Sequence, residues 1–175
     1  MFNKILCPAD GSDHSGKALD LAIDLATKYD ASLVILQVPH RSGNMDALQR
    51  FSEIEGLAKP VNLELKRLQS LDPGLDFTTG STFQDAAISP RLLIEVGQHI
   101  IERAKNRAAQ KGLLNVEARI ENGDPADCIL HCIDEEDIDC VVMGSRGLSG
   151  IKGLFLGSAS HKVANRAPCT CITVK

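Results

Sequence analysis

The sequence predicts an α/β fold: a doubly wound, five-stranded parallel sheet with helices on both faces and strand order 3-2-1-4-5. Two observations carry that expectation. SLVILQV and DCVVMG are continuously apolar rather than alternating, as strands covered by helices on both faces must be. Between such runs lie segments with apolar residues at helical spacing, so strand and helix signals alternate in the manner that yields a parallel sheet.

Taken in order, KILCP is the first short apolar run. DGSDHS follows it and supplies turn and capping residues for a helix over about residues 15–28, with Ala18, Leu21, Ala22 and Leu25 as its apolar face. SLVILQV then closes a βαβ unit. A second long helix carries Leu92, Val96, Ile100, Ala104 and Ala108 at four-residue steps and ends near Gly112, ahead of the strand VEARIE. In NGDPADCILHCID, Asp124 stands as a cap, Pro125 takes the favoured first helical position, and Ile129, Leu130 and Ile133 face inward. The strand DCVVMG follows. The last unit runs from Gly157 through a helix ending near Asn165 to Pro168 and the terminal strand CTCITV.

Residues 39–89 break this rhythm. RSGNMD, KPVN, LDPGLD and TTGSTF interrupt it, although ALQRFSEIEGLA and LELKRLQSL can each hold a helix. The stretch has no glycine or serine repeat and no long charge block, so it reads as a foldable insertion rather than a linker.

A chain of 175 residues suffices for one well-buried core and would crowd two α/β domains, so residues 1–175 are expected to form one domain. Hydrophobic residues make up 43% and charged residues 24%, and 19 basic against 23 acidic side chains give a formal charge of -4. That balance argues against a nonspecific nucleic-acid binder. No apolar run approaches the roughly 20 residues that span a bilayer, and MFNKILCPADGS reaches Pro8 and Asp10 too early for a signal peptide. The expectation is a cytoplasmic protein without membrane insertion. Cys7, Cys140, Cys169 and Cys171 lie in or beside apolar strand runs and read as small hydrophobes of a core.

In an open parallel sheet the ligand cleft lies beyond the C-terminal strand ends, where strand order reverses. Two loops are equipped for it. The first, Cys7-Pro8-Ala9-Asp10-Gly11-Ser12, offers a rigid proline, a small residue and a strand-tip carboxylate. Taken alone it reads better as a turn and helix cap made by Asp10 or Ser12, roles Asp and Ser commonly fill. The second holds Gly144-Ser145-Arg146-Gly147, then nine residues, then Gly157-Ser158-Ala159-Ser160 at the start of the last helix. Glycines let backbone N–H groups approach phosphate oxygens, Ser158 and Ser160 add hydroxyls, the helix dipole adds partial positive charge and Arg146 a full one. Without further context a few spaced glycines also describe an ordinary strand-to-helix connection.

Several chemistries lack their residues. The chain has no G-x-x-x-x-G-K-[ST] loop, no G-x-G-x-x-G fingerprint, no G-x-S-x-G elbow and no H-E-x-x-H, and its histidines are scattered at 14, 40, 99, 131 and 161. Cys128, His131 and Cys132 share a helical face, but they adjoin Ile129 and Ile133 on an ordinary amphipathic helix, and packing accounts for them. Cys169 and Cys171 point to one face of a strand, too far apart for an easy disulfide. No catalytic residue is assigned.

ILCPADGS, NGDPADCI, DCVVMGSRGLSG and LFLGSASHKVANRAPCTCITVK together resemble the universal stress protein family. Gly144, Gly147, Gly157 and Ser158 match that family's G-x2-G-x9-G-[ST] signature, which marks its ATP-binding members. By this resemblance Pro8, Ala9, Asp10 and Val38 would surround adenine and ribose, with Met143 and Gly144 closing the other side. Arg146 and Gly147 would lie near ribose and phosphates, and Gly157, Ser158, Ala159 and Ser160 would wrap the phosphate chain. Cys7 and Ala9 depart from the family's more usual β-branched residues, and the middle segment is longer than in shorter members. The resemblance also implies a homodimer formed by pairing the last strand, CITV.

The leading functional expectation is an ATP-binding stress-response or regulatory protein. Its nucleotide, carried with Mg²⁺, would set conformation or affinity for a protein partner, with slow hydrolysis at most. One alternative is an ATPase or nucleotidyl-transferring enzyme using Asp10 and Arg146; another is a dimeric interaction module that no longer uses nucleotide.

Overall fold

The computed structural model describes residues 1–39, 61–63, 66–67, 70, 90–147 and 156–175. These residues build five strands, β1 (Lys4–Pro8), β2 (Ser32–Gln37), β3 (Val116–Ile120), β4 (Cys140–Gly144) and β5 (Thr170–Val174). Between them lie the helices α1 (Asp13–Tyr29), α2 (Pro90–Gln110), α3 (Pro125–Glu135) and α4 (Ser158–Arg166). All strand pairs are parallel, in the order β3-β2-β1-β4-β5.

The continuous apolar runs have a direct structural reason. Successive strand side chains point to opposite faces, and here each face has its own core. Ile5, Cys7, Leu33, Ile35, Cys140 and Val142 join buried residues of α1 and α2. Leu6, Val34, Leu36, Val141 and Met143 join Ala126, Ile129, Cys132 and Ile133 of α3 and Val163 of α4. A strand with one polar face could not serve both clusters.

Local signals set the helix ends. Ser12 caps α1, its hydroxyl accepting from Ser15 N at 3.2 Å, so the helix starts at Asp13 rather than near residue 15. Ala18 and Ala22 are buried as expected, but Leu19, Ile23 and Ala26 share the deepest positions, while Leu21 and Leu25 pack half-buried at the margin. The sheet covers a stripe broader than the predicted one, and small alanines let the helix lie close. Gly112, at φ +84°, reverses the chain after α2. Asp124 caps α3 by accepting from Asp127 N at 3.1 Å, with Pro125 in the first turn as expected.

The expected insertion over 39–89 lies mostly outside the described residues, and the helix expected over ALQRFSEIEGLA lies wholly outside them. Where the stretch is described, residues 61–63, 66–67 and 70 are helical, and Val61 is fully buried in the cluster beneath α1 and α2. Among the described residues no helix is long and apolar enough to cross a membrane.

Candidate functional site

From β1 the chain crosses to β2 on one side, and from β4 it crosses to β5 on the other. The loops after β1 and β4 therefore diverge above neighbouring strands, leaving a crevice at the C-terminal strand ends. Every residue singled out in the β1, β2 and β4 loops and at the start of α4 belongs to this end of the sheet.

The β1 loop is tied down first by its backbone. Ala9 is buried, and its N–H donates to the Leu36 carbonyl at 2.8 Å, extending the ladder past half-buried Pro8. Asp10 is half-buried at the strand tip. One carboxylate oxygen accepts from Ser12 N at 3.0 Å and its backbone N–H donates to the Ser15 hydroxyl at 3.2 Å, while Gly11 turns at φ +84°. The second oxygen of that carboxylate faces Gly147, where a Cβ would overlap it. Beneath the loop, burial and the nearby Asp10 charge push the Cys7 thiol up to about 12, so it stays protonated and acts as a packing group.

In the β4 loop, Ser145 holds three directions at once. Its N–H donates to the Val174 carbonyl of β5 at 2.7 Å, and its carbonyl accepts from Gly157 N at 2.7 Å and the Ser160 hydroxyl at 2.9 Å. Ser160 is buried, and its hydroxyl also lies 3.1 Å from the Gly157 carbonyl, so it braces the loop from within. The two ends of the loop are thereby brought together although residues 148–155 lie outside the described residues.

Helix α4 opens differently from α1 and α3. Its N-cap is Gly157, which has no side-chain cap bond, whereas Ser12 and Asp124 cap the other two. Its first-turn N–H groups therefore lack the side-chain acceptor that satisfies an ordinary helix start. The Arg146 backbone runs beside this terminus, its Cα 3.6 Å from where a Gly157 Cβ would stand, and among the described residues its Nε is buried with no hydrogen-bond partner. A buried guanidinium N–H without an acceptor is costly in a finished site, and an anion seated at the helix start would supply that acceptor.

Of the remaining positions, Met143 is buried at the end of β4, Val38 and Ala159 are half-buried against the same core face, and Ser158 is exposed in the first turn of α4. Gly144 lies against α1, where a Cβ would come 2.9 Å from His14 C and Ser15 N. The structure also joins residues the sequence left apart. The Ser12 hydroxyl donates to the Arg146 carbonyl at 3.5 Å, and His14 Nδ1 lies 3.4 Å from the Ser145 hydroxyl. His14 and Ser145 are 131 positions apart, and no local pattern could have paired them.

Helix α3 separates its polar and apolar positions. Cys128 and Cys132 turn into the core while His131 is exposed, with Nε2 3.3 Å from Glu135. Cys169 and Cys171 pack half-buried against the same core face, and the Cys171 thiol lies 3.7 Å from the Cys169 carbonyl.

Residues 1–175 match the profile of the universal stress protein family. The chain is similar to universal stress protein YxiE of Bacillus subtilis, at 34% identity over 175 residues covering 100% of both chains. It also resembles a solved universal stress protein in complex with cAMP, at 24% identity and TM-score 0.59, covering 99% of this chain and 96% of that one. A universal stress protein from Archaeoglobus fulgidus in complex with dAMP gives 15% identity and TM-score 0.56, covering 100% of this chain and 98% of that one. At those structural identities the likeness concerns the fold.

Proposed function

The chain belongs to the universal stress protein family, and on that premise we propose that it is an ATP-binding regulatory protein of the stress response. The observation that carries this reading is the start of α4: an N-terminus without a side-chain cap next to Arg146, whose buried Nε has no partner among the described residues. The phosphate chain accepts from the first-turn N–H groups of α4, with Arg146 supplying full positive charge and Gly157 leaving the approach open. Ser158, exposed in that turn, adds its hydroxyl. Pro8, Ala9, Asp10 and Val38 border adenine and ribose, Asp10 accepting from a ribose hydroxyl, with Met143 and Gly144 on the opposite side and Gly147 leaving room for the carboxylate.

Mg²⁺ carried on the polyphosphate would offset part of its charge. The bound nucleotide sets the loop conformation and so the affinity for a protein partner, with hydrolysis slow at most. The chain works in the cytoplasm as one domain and as a homodimer, in which β5, at the edge of the sheet, pairs with its copy. The cAMP and dAMP complexes of the two similar structures support an adenine nucleotide as the ligand class.

The test is calorimetry of ATP, ADP and AMP on wild type and Gly157→Asp. Gly157 has extended N-cap geometry, φ -71° and ψ 162°, so aspartate there caps the helix while placing negative charge where phosphate would sit. Micromolar ATP binding by wild type that disappears in a folded Gly157→Asp supports the reading. Absence of binding by wild type overturns it in favour of a nucleotide-independent module. Light scattering on the same samples reads the homodimer as about twice 18.8 kDa.

A further inference from the structure

We propose that His14 is a positioning residue for the phosphate loop, acting through the Ser145 hydroxyl. The inference rests on the nucleotide reading above and adds a residue that the loop signature does not contain. His14 stands in the first turn of α1, half-buried, with Nδ1 3.4 Å from the Ser145 hydroxyl. Ser145 is 1% exposed, so with the ring in place its hydroxyl depends on protein rather than bulk water for a partner. With the ring proton on Nε2, Nδ1 accepts from the hydroxyl. Removing the ring leaves a buried hydroxyl without an acceptor, and the residue must turn to find one.

Turning Ser145 matters because its backbone is already committed. Its carbonyl holds both Gly157 N and the Ser160 hydroxyl, and its N–H is bound to the end of β5. A side-chain rotation alone leaves that backbone in place, but any shift of the Ser145 peptide that relieves the unpaired hydroxyl is passed directly to the first turn of α4. Two further contacts keep His14 in place. Gly144 packs against its backbone so closely that a Cβ would come 2.9 Å from its carbonyl carbon, and Ser12, two residues earlier, donates to the Arg146 carbonyl at 3.5 Å. The first turn of α1 thus holds the β4 loop at two consecutive residues, and His14 is the side chain that fixes the one carrying the loop's internal bonds.

The experiment compares the full chain as wild type, His14→Leu, His14→Asn and Ser145→Ala, by amide NMR without ligand and by calorimetry with ATP and adenosine. Asparagine places a polar atom near the position of Nδ1. In His14→Leu the amide resonances of Ser145, Gly157 and Ser160 move, and His14→Asn returns them toward wild type. ATP affinity falls about tenfold in His14→Leu, the size expected for one lost hydrogen bond, while adenosine affinity changes by less than about twofold. A general loss of structure would weaken both ligands alike, so the ATP-to-adenosine ratio separates positioning from folding.

Where His14→Leu does not fold, His14→Ala must lower that ratio in its place, and adding His14→Ala to Ser145→Ala, which leaves no hydroxyl to turn, must not change it further. An unchanged ratio, or unmoved loop amides, overturns the proposal. Wild type that binds no ATP overturns the nucleotide reading instead, and the ligand-free amide shifts still decide whether His14 sets the loop.

Discussion

Gly144 and Gly147 belong to one signature, yet their surroundings give them different work. At Gly144 the obstacle to a side chain is the backbone of α1, which cannot give way, so Gly144→Ala should destabilise the fold by about 1–3 kcal/mol. At exposed Gly147 the obstacle is the Asp10 carboxylate, which can swing aside but then leaves its bond to Ser12 N. Gly147→Ala should therefore leave the melting temperature near wild type while weakening ATP binding by roughly tenfold, the scale of one displaced polar contact. Thermal melts and calorimetry on the two variants check the split. The signature was legible in the sequence as glycine spacing. That one glycine clears a helix and the other a carboxylate was not, because those neighbours, in α1 and in the β1 loop, lie 129 to 137 positions away in the chain.

Among the helices, α3 and α4 are linked at the surface by Lys162, which contacts Asp124 and Asp127 at 3.2 and 2.8 Å. Asp124 also caps α3, and the bond from Asp127 N together with Lys162 holds its carboxyl below the usual value of 3.8. A carboxyl depressed in the folded state contributes stability above its unfolded value and loses it as pH falls through the folded one. That contribution is full above about pH 4 and disappears below it. Asp124→Asn keeps a capping oxygen but cannot titrate, so the acid side of its stability profile should be flatter than wild type. Asp124→Ala removes the cap and should cost about 1 kcal/mol at neutral pH. Urea unfolding at pH 3 to 7 reads both effects. The cap itself was visible in the sequence NGDPADC, because capping is local. The Lys162 contact was not, since it needs α4 folded against α3.

Across the whole molecule the two-sided core decides how the thiols behave. Burial pushes Cys7 up to about 12 and Cys132 and Cys140 to about 11, against 9.0 for an ordinary thiol. A thiol raised by folding contributes stability that is full below the unfolded value and is lost as pH rises toward the folded one. Stability should therefore decline from about pH 9 upward, as unfolded chains ionise thiols that folded chains keep protonated. Cys7→Ala should show a shallower decline, measured by denaturant unfolding at pH 8 and pH 10.5. The same burial predicts that these three thiols resist alkylation until the sheet opens.

The sequence by itself determined the alternation of strands and helices, the parallel sheet, the cap at Asp124, a capping turn within DGSDHS and the glycine spacing of the candidate loop. Each is either a short-range backbone preference or a hydrophobic period, and such signals are written within a few residues. Tertiary structure alone decided which α1 positions lie deepest, because the sheet's twist and breadth select them, and carried Val61 back into the core. It also turned the Ser160 hydroxyl inward, left Arg146 Nε buried without a partner among the described residues and set His14 beside Ser145. Those placements depend on two loops meeting above neighbouring strands, and only the crossover of the chain across the sheet brings them together.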